Sequence, residues 1–248
     1  EISLEYKSST HYYLEDKKQG IYWATKLPFP VHCVHKVITH DIVSETTYTQ
    51  SYKYRHGYYD SPEREFRGFG YVETLDTDSA ALNHLPLNIN NSLDQASVLT
   101  KTWYHTGAWL QLKNLIEAYQ KEYFPFEDWD AFIKTATFPK GLSWQENREA
   151  HRALKGSVLR QEVYALDGSD KENIPYTVTA TAYKLLKIQS LPEHVNKGEN
   201  GLPPFAVFMN LQEQNVVFSC ERKVEDVRIA QELVLETDVY GNILKSAH

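Results

Sequence analysis

The segment Tyr52–Leu75, YKYRHGYYDSPEREFRGFGYVETL, sets Asp60, Glu63 and Glu65 among Arg64 and Arg67. Two carboxyl groups ~5 to 9 Å apart could cleave a glycosidic bond, one as the acid and the other as nucleophile or base. That chemistry needs one of them kept protonated, whereas flanking arginines hold both ionised. Glu63 and Glu65 would also share a face only if both lay in one strand. The cluster therefore reads as structural ion pairs, Glu65 with Lys53 or Arg55 across a hairpin, each pair worth ~0.2 to 1 kcal/mol.

Two histidine groups have the residue types of a metal or catalytic site. His32-Cys33-Val34-His35 with His40 could ligate zinc, but strand alternation puts His32 and His35 on opposite faces, so one tetrahedral site would need a bulge. His105 sits in Thr102-Trp103-Tyr104-His105-Thr106-Gly107 with no nucleophile elbow beside it, which points to packing and hydrogen bonding. In Phe66-Arg67-Gly68-Phe69-Gly70-Tyr71 the glycines at i and i+2 share one side of a strand and leave a groove that a neighbouring aromatic can fill. No phosphate-cradle pattern accompanies them. Alternation assigns Phe66 and Phe69 to opposite faces, so at least one of them is expected in the sheet core.

The elements that must position these residues are mainly strands, as expected from seventeen Tyr, ten Phe and five Trp with many Val and Thr. From Thr46 to Arg55 one face carries Tyr48, Tyr52 and Tyr54, and the other Thr47, Thr49, Ser51, Lys53 and Arg55, an aromatic side and a wet side. A turn at Gly57–Pro62 and a return strand at Arg64–Leu75 complete a hairpin. Asp76–Thr100 is polar and Asn-rich. Leu112, Leu115, Ile116, Tyr119 and Tyr123 follow at helical spacing, with Pro125 as the stop, so an amphipathic helix is expected between Ala108 and Tyr123. Trp129–Arg152 reads as short helices or loop. Gly156–Leu166 and Tyr176–Ile188 form a second hairpin around Asp167-Gly168-Ser169-Asp170, Pro192–Pro204 is a loop, and strands at Ala206–Arg222 and Val227–Val239 end the chain. The turn Asp238-Val239-Tyr240-Gly241-Asn242 is weakly echoed at Asp167-Gly168.

With 248 residues and a net charge of -7, the chain is long enough for a sizeable core and lacks the clustered Lys and Arg that nucleic acid requires. No apolar run approaches the ~20 residues that cross a bilayer, and EISLEYKSST has no secretory-signal pattern. Cys33 and Cys220 are too few for a disulfide framework. The chain begins without Met and ends just after a strand-like segment, and so reads as a piece of a longer polypeptide.

Four motifs together carry a family resemblance. They are Tyr58-Tyr59-Asp60 through Glu63-Arg64-Glu65-Phe66-Arg67-Gly68-Phe69-Gly70, Thr102 to Gly107, Ala153-Leu154-Lys155-Gly156 with Leu159 to Tyr164, and Asp238-x-Tyr240-Gly241-Asn242-x-Leu244-Lys245-Ser246-Ala247. Over roughly Tyr52–Ala247 the chain resembles the middle-to-C-terminal region of the B component of Tc (ABC-type) insecticidal toxin complexes, a family related to SpvB and RHS proteins. The resemblance implies a mainly β fold of antiparallel hairpins and curved sheet of the RHS-shell type. It divides the chain into a β-hairpin part at 1–100, a helical insert at 101–155 and a β part with an RHS-like ending at 156–248. It also implies a secreted, non-catalytic shell segment without cofactor or metal. In the family, B and C components form a hollow β-shell, built partly from RHS (YD) repeats, around the unfolded cytotoxic end of C. A propeller elsewhere in B docks the pore-forming A component.

Two other functions compete. A glycan-binding β-domain would present exposed, coplanar aromatics in a groove, and a glycosidase would turn Glu63 or Glu65 and a second carboxylate toward one pocket.

Overall fold

The computed structural model describes residues 1–43, 46–79, 96–126, 135–191 and 205–248. The expected loop at Pro192–Pro204 and the centre of the Asn-rich stretch lie outside them, as does the start of the Trp129–Arg152 segment.

The backbone is an open sheet in which sequence neighbours pair in turn. β1 (Ile2–Ser8), β2 (His32–Asp41), β3 (Thr46–Asp60), β4 (Glu65–Ser79) and β5 (Ser97–Tyr104) lead into β7 (Val158–Leu166), β8 (Thr177–Gln189), β9 (Val207–Ser219), β10 (Arg228–Thr237) and β11 (Ile243–Ala247). All these pairings are antiparallel, and the two-residue β6 (Ala136–Thr137) joins β8 in parallel. Both expected hairpins are present, as β3–β4 and β7–β8.

Among the described residues three α-helices accompany the sheet. α2 (Leu112–Glu122) falls within the expected span and buries Leu115 and Tyr119 against Tyr71 and Trp103. α3 (Trp144–Ala153) starts at a capping box, Ser143 accepting from the Glu146 amide while the Glu146 carboxylate accepts from the Ser143 amide. It packs Ala150 and Leu154 on Leu185. α1 (Ser9–Lys18) was not foreseen. It is polar along most of its length and buries only Ser9, Tyr12 and Asp16, so its apolar periodicity is too weak to announce it.

Several expected details of the first hairpin are corrected. The turn lies at Ser61–Arg64 rather than Gly57–Pro62, because the Asp60 carboxylate accepts the Glu63 amide at 3.0 Å and Arg64 takes a left-handed conformation, φ 52°. Glu63 is therefore a turn residue and cannot share a strand face with Glu65. Phe66 and Phe69 lie on one side, their rings edge to face at 5.5 Å, because the register slips between Gly57 and Tyr59 opposite a left-handed Gly68, φ 92°. Both rings are half-buried. The side expected to be wet is not wet at Arg55, which lies under α1 and α2 over the Tyr71 ring.

The shared groove at Gly68 and Gly70 is half realised. A side chain at Gly68 would meet nothing, whereas a Cβ at Gly70 would collide with the Tyr119 hydroxyl, which α2 lowers into that space. Gly70→Ala should cost about 1 to 3 kcal/mol by overpacking. Adding Tyr119→Phe should recover part of the loss in urea melts, and equal loss in single and double variants would mean that α2 is not seated there.

Candidate functional site

The acid and arginine cluster assembles where the β3–β4 hairpin meets α3. Asp60, at the end of β3, turns Oδ2 to Arg67 Nη2 at 3.0 Å, and Arg67 Nε donates to Glu65 Oε2 at 3.1 Å. Arg67 Nη1 donates to the Gly107 carbonyl at 2.8 Å, and the guanidinium is fully buried. Two cations, Arg152 in α3 and Lys155 in the turn just after it, close the cluster from the other side. Arg152 Nε lies 3.5 Å from Glu65 Oε2, and Lys155 Nζ donates to Glu65 Oε1 at 2.9 Å. Arg148 pairs with Glu63 and lies 3.7 Å from Glu149, which Arg152 also reaches at 3.6 Å. The hydrogen bond from Lys155 leads the interactions that hold the Glu65 carboxyl below the usual carboxylate range.

Gly107 completes the junction. Its φ of 72° is left-handed, and a Cβ there would press on the α3 backbone at Arg152 Cα and His151 O, each at 3.2 Å. Only glycine lets the exit of β5, Arg67 and the end of α3 meet.

The expected partners of Glu65 are corrected here. Lys53 pairs with Glu73 at 3.3 Å, and Arg55 with Asp16 at 2.9 Å and Glu122 at 3.4 Å. Glu65 stands opposite Asp60 at the turn end of the hairpin, too far along the strand for either cation.

A second buried polar cluster was missed by sequence reasoning. His56 Nδ1 accepts from the Ala24 amide at 3.0 Å, so its Nε2 carries the proton and donates to Glu122 Oε1 at 3.2 Å. Trp103 Nε1 donates to Glu122 Oε2 at 2.9 Å. Burial pushes the Glu122 carboxyl up, but the bonds from His56 and Trp103 and the Arg55 charge outweigh it and hold the group below its ordinary range. On β7, fully buried Glu162 binds Arg160 at 2.7 Å and the Tyr164 hydroxyl at 2.6 Å.

The remaining singled-out residues are structural contacts. The Tyr104 carbonyl accepts from the Tyr119 hydroxyl, and the Tyr59 ring meets Phe29 edge to face at 5.1 Å. Tyr58 packs beside the Tyr71 and Trp103 cluster. Gly241, φ 86°, and Asn242 close the β10–β11 turn, where Asp238 Oδ1 accepts the Tyr240 and Asn242 amides. Asp167 Oδ1 accepts the Ser169 amide before a left-handed Gly168 neighbour, which is the same device as at Asp238. His35 Nδ1 lies 3.2 Å from the Tyr12 hydroxyl, and His32 is exposed. Cys33 and Cys220 are buried free thiols, each pushed up to about 11 by burial.

Among the described residues the competing sites are not assembled. A cavity of about 300 Å³ lies between α1 and the Lys26–Pro30 turn, and no carboxylate lines it. Trp109 and Trp144 stack on each other at 6.4 Å rather than side by side as a platform.

The described residues thus define a mainly antiparallel, open β-sheet protein with helices seated on buried ion pairs. Residues 1–107 match the family model of the insecticide toxin TcdB middle/N-terminal region, and residues 149–248 that of the TcdB middle/C-terminal region. The chain belongs to this family and is the middle region of a Tc toxin B component. Among solved structures, TcdB2–TccC3–Cdc42 superposes with a TM-score of 0.81 at 27% identity and TcdB2–TccC3 with 0.79 at 28%. A Tc holotoxin pore from Photorhabdus luminescens gives 0.77 at 27%. Each alignment covers 99% of this chain and 11% of the other. A search of curated proteins returns no match. The hairpin acids thus belong to the first matched region, and Arg152 and Lys155 to the second.

Two outcomes follow. Arg67→Met leaves buried Asp60 without its counter-charge, while Glu65 keeps Lys155 and Arg152, and should cost about 3 to 5 kcal/mol in urea melts, well above the cost of a surface pair. His105 is buried at the end of β5 and lowered to about 4, burial being the main cause. Its neutral form is the one that the fold favours, so its contribution is complete above the unfolded value of ~6.5 and is lost as pH falls toward 4, about 3 kcal/mol at most. His105→Phe should flatten that acid limb; an unchanged pH dependence would show that another group sets it.

Proposed function

We propose that the chain is a non-catalytic wall segment of a secreted Tc toxin. In this reading, the B component that contains it forms a hollow, RHS-type β-shell with a C component, encloses the C-terminal region of C and delivers it through the pore-forming A component. The observation that carries the reading is that 99% of the chain, a sheet open at both ends, aligns within 11% of the matched chain of the TcdB2–TccC3 structure. β1 and β11 are its terminal strands, and Ile2, Leu4, Ile243 and Leu244 stand exposed on them, as strands continued by further sheet would. The solved relatives join TcdB2–TccC3 with TEV, with Cdc42, and without a hypervariable C-terminal region. Read as passengers, TEV and Cdc42 would fit a container better than an enzyme. The acids that could have cleaved glycosides are each held by a guanidinium or ammonium group.

The test assays the B component and its E63Q and E65Q variants on a broad glycoside panel while following assembly with the C component. No turnover by any of the three, with weakened assembly or stability in the variants, is expected. Hydrolysis by the parent that disappears in either variant would assign a glycosidase.

A further inference from the structure

The sheet sorts its charges by face. Along one register row, Lys53, Glu73, Lys101 and Glu162 stand side by side on β3, β4, β5 and β7, a ladder of alternating sign. The next row on that face is Arg55, Tyr71, Trp103 and Arg160, which α2 and the chain after it cover. On the opposite face two rows between β4 and β9 are neutral, bordered by Asp76 on β4 and Arg228 on β10. They read Thr74, Thr100, Val163, Thr177 and Ser219, then Val72, Thr102, Gln161, Thr179 and Val217, from β4 to β9. None of these ten side chains ionises, and none enters the hydrophobic clusters that anchor the helices. The asymmetry shows on β7, where Arg160, Glu162 and Tyr164 are buried and Gln161, Val163 and Ala165 between them are half-buried.

A sheet face turned to bulk water ordinarily carries charge, and one packed in a core is aliphatic and aromatic. This face is neither. It offers hydroxyl and amide groups that both donate and accept, interleaved with small apolar groups; Gln161, for example, already donates to Thr102 at 3.3 Å. Such a surface holds a polypeptide through many weak contacts and does not select it by charge. The bulk-water side of the wall is marked by α2, whose Lys113 and Glu117 stand 87% and 56% exposed.

We infer that the neutral face is the luminal surface of this wall segment and contacts the enclosed polypeptide of the C component. The assignment rests on the shell reading above, and adds which face looks inward and the chemistry by which it meets its passenger.

The test places p-benzoylphenylalanine at Thr100 or Thr179, and at Lys113 or Lys121 on α2 as controls, in the complete B component assembled with its C component. Irradiation should cross-link the C-terminal region of C to positions 100 and 179 and not to 113 or 121. Cross-links from the α2 positions instead, or from Thr100 and Thr179 only to the B chain itself, would overturn the assignment. Should the bulky residue block assembly, T100C and T179C are tested against K113C with a polyethylene-glycol maleimide too large to enter a closed shell. Labelling at position 113 alone supports the assignment, and labelling at 100 and 179 with 113 protected overturns it. A separate control exposes the unsubstituted complex to protease: digestion of the C-terminal region inside an assembled complex would refute the shell reading itself, and this assignment with it.

Discussion

A buried guanidinium cannot be left without counter-charge, and the arrangement around Arg67 follows from that requirement. Its side chain is fully buried, so Asp60 and Glu65 must lie beside it and the Gly107 carbonyl must accept what remains. Satisfying Arg67 therefore brings together the turn end of β3–β4 and the exit of β5. Glu65 then draws in Arg152 and Lys155, so α3 docks against the same point. Such a network adds little net stability over a well-packed apolar contact, because both charges give up water. What it supplies is position: other registers of the hairpin would strand a buried charge.

An open sheet differs from a closed barrel in having two edges and two faces to satisfy. Here α2 shields one face at Trp103 and Tyr71, where Lys53 pairs with Glu73 across strands, Arg55 with Glu122 beneath the helix, and Lys101 lies over the Tyr164 ring. On the other face, the two rows between β4 and β9 carry hydroxyl, amide and small apolar side chains that do not ionise and form no large apolar patch. The same division gives a wall two chemistries, and strand alternation alone is enough to write it into the chain.

Much of this architecture was legible in the sequence. Strand alternation and turn residues marked both hairpins, and the spacing of Leu112, Leu115 and Tyr119 marked α2, because those signals are local and periodic. α1 left no such mark, its buried side amounting to Ser9, Tyr12 and Asp16. The slip at Gly68 depends on tertiary contacts, so a regular alternation misplaced Phe69 relative to Phe66. At the site, the reading of the hairpin acids as ion-paired was correct in kind and wrong in partner. Besides Arg67, two residues from Glu65, the cations that reach Glu63 and Glu65 include Arg148 and Lys155, 85 and 90 residues further along the chain, where no spacing rule connects them. The His56–Glu122 pair, 66 residues apart, was hidden for the same reason.

The central claim is that the Arg67 cluster couples the hairpin of the first family region to the helix of the second. Hydrogen exchange followed by mass spectrometry on wild type and Arg67→Met tests it most directly. In Arg67→Met, peptides spanning α3 and the end of β5 should lose protection together with the Ser61–Arg64 turn, while β9 and β10 keep theirs. Loss confined to the turn, with α3 unchanged, would contradict it.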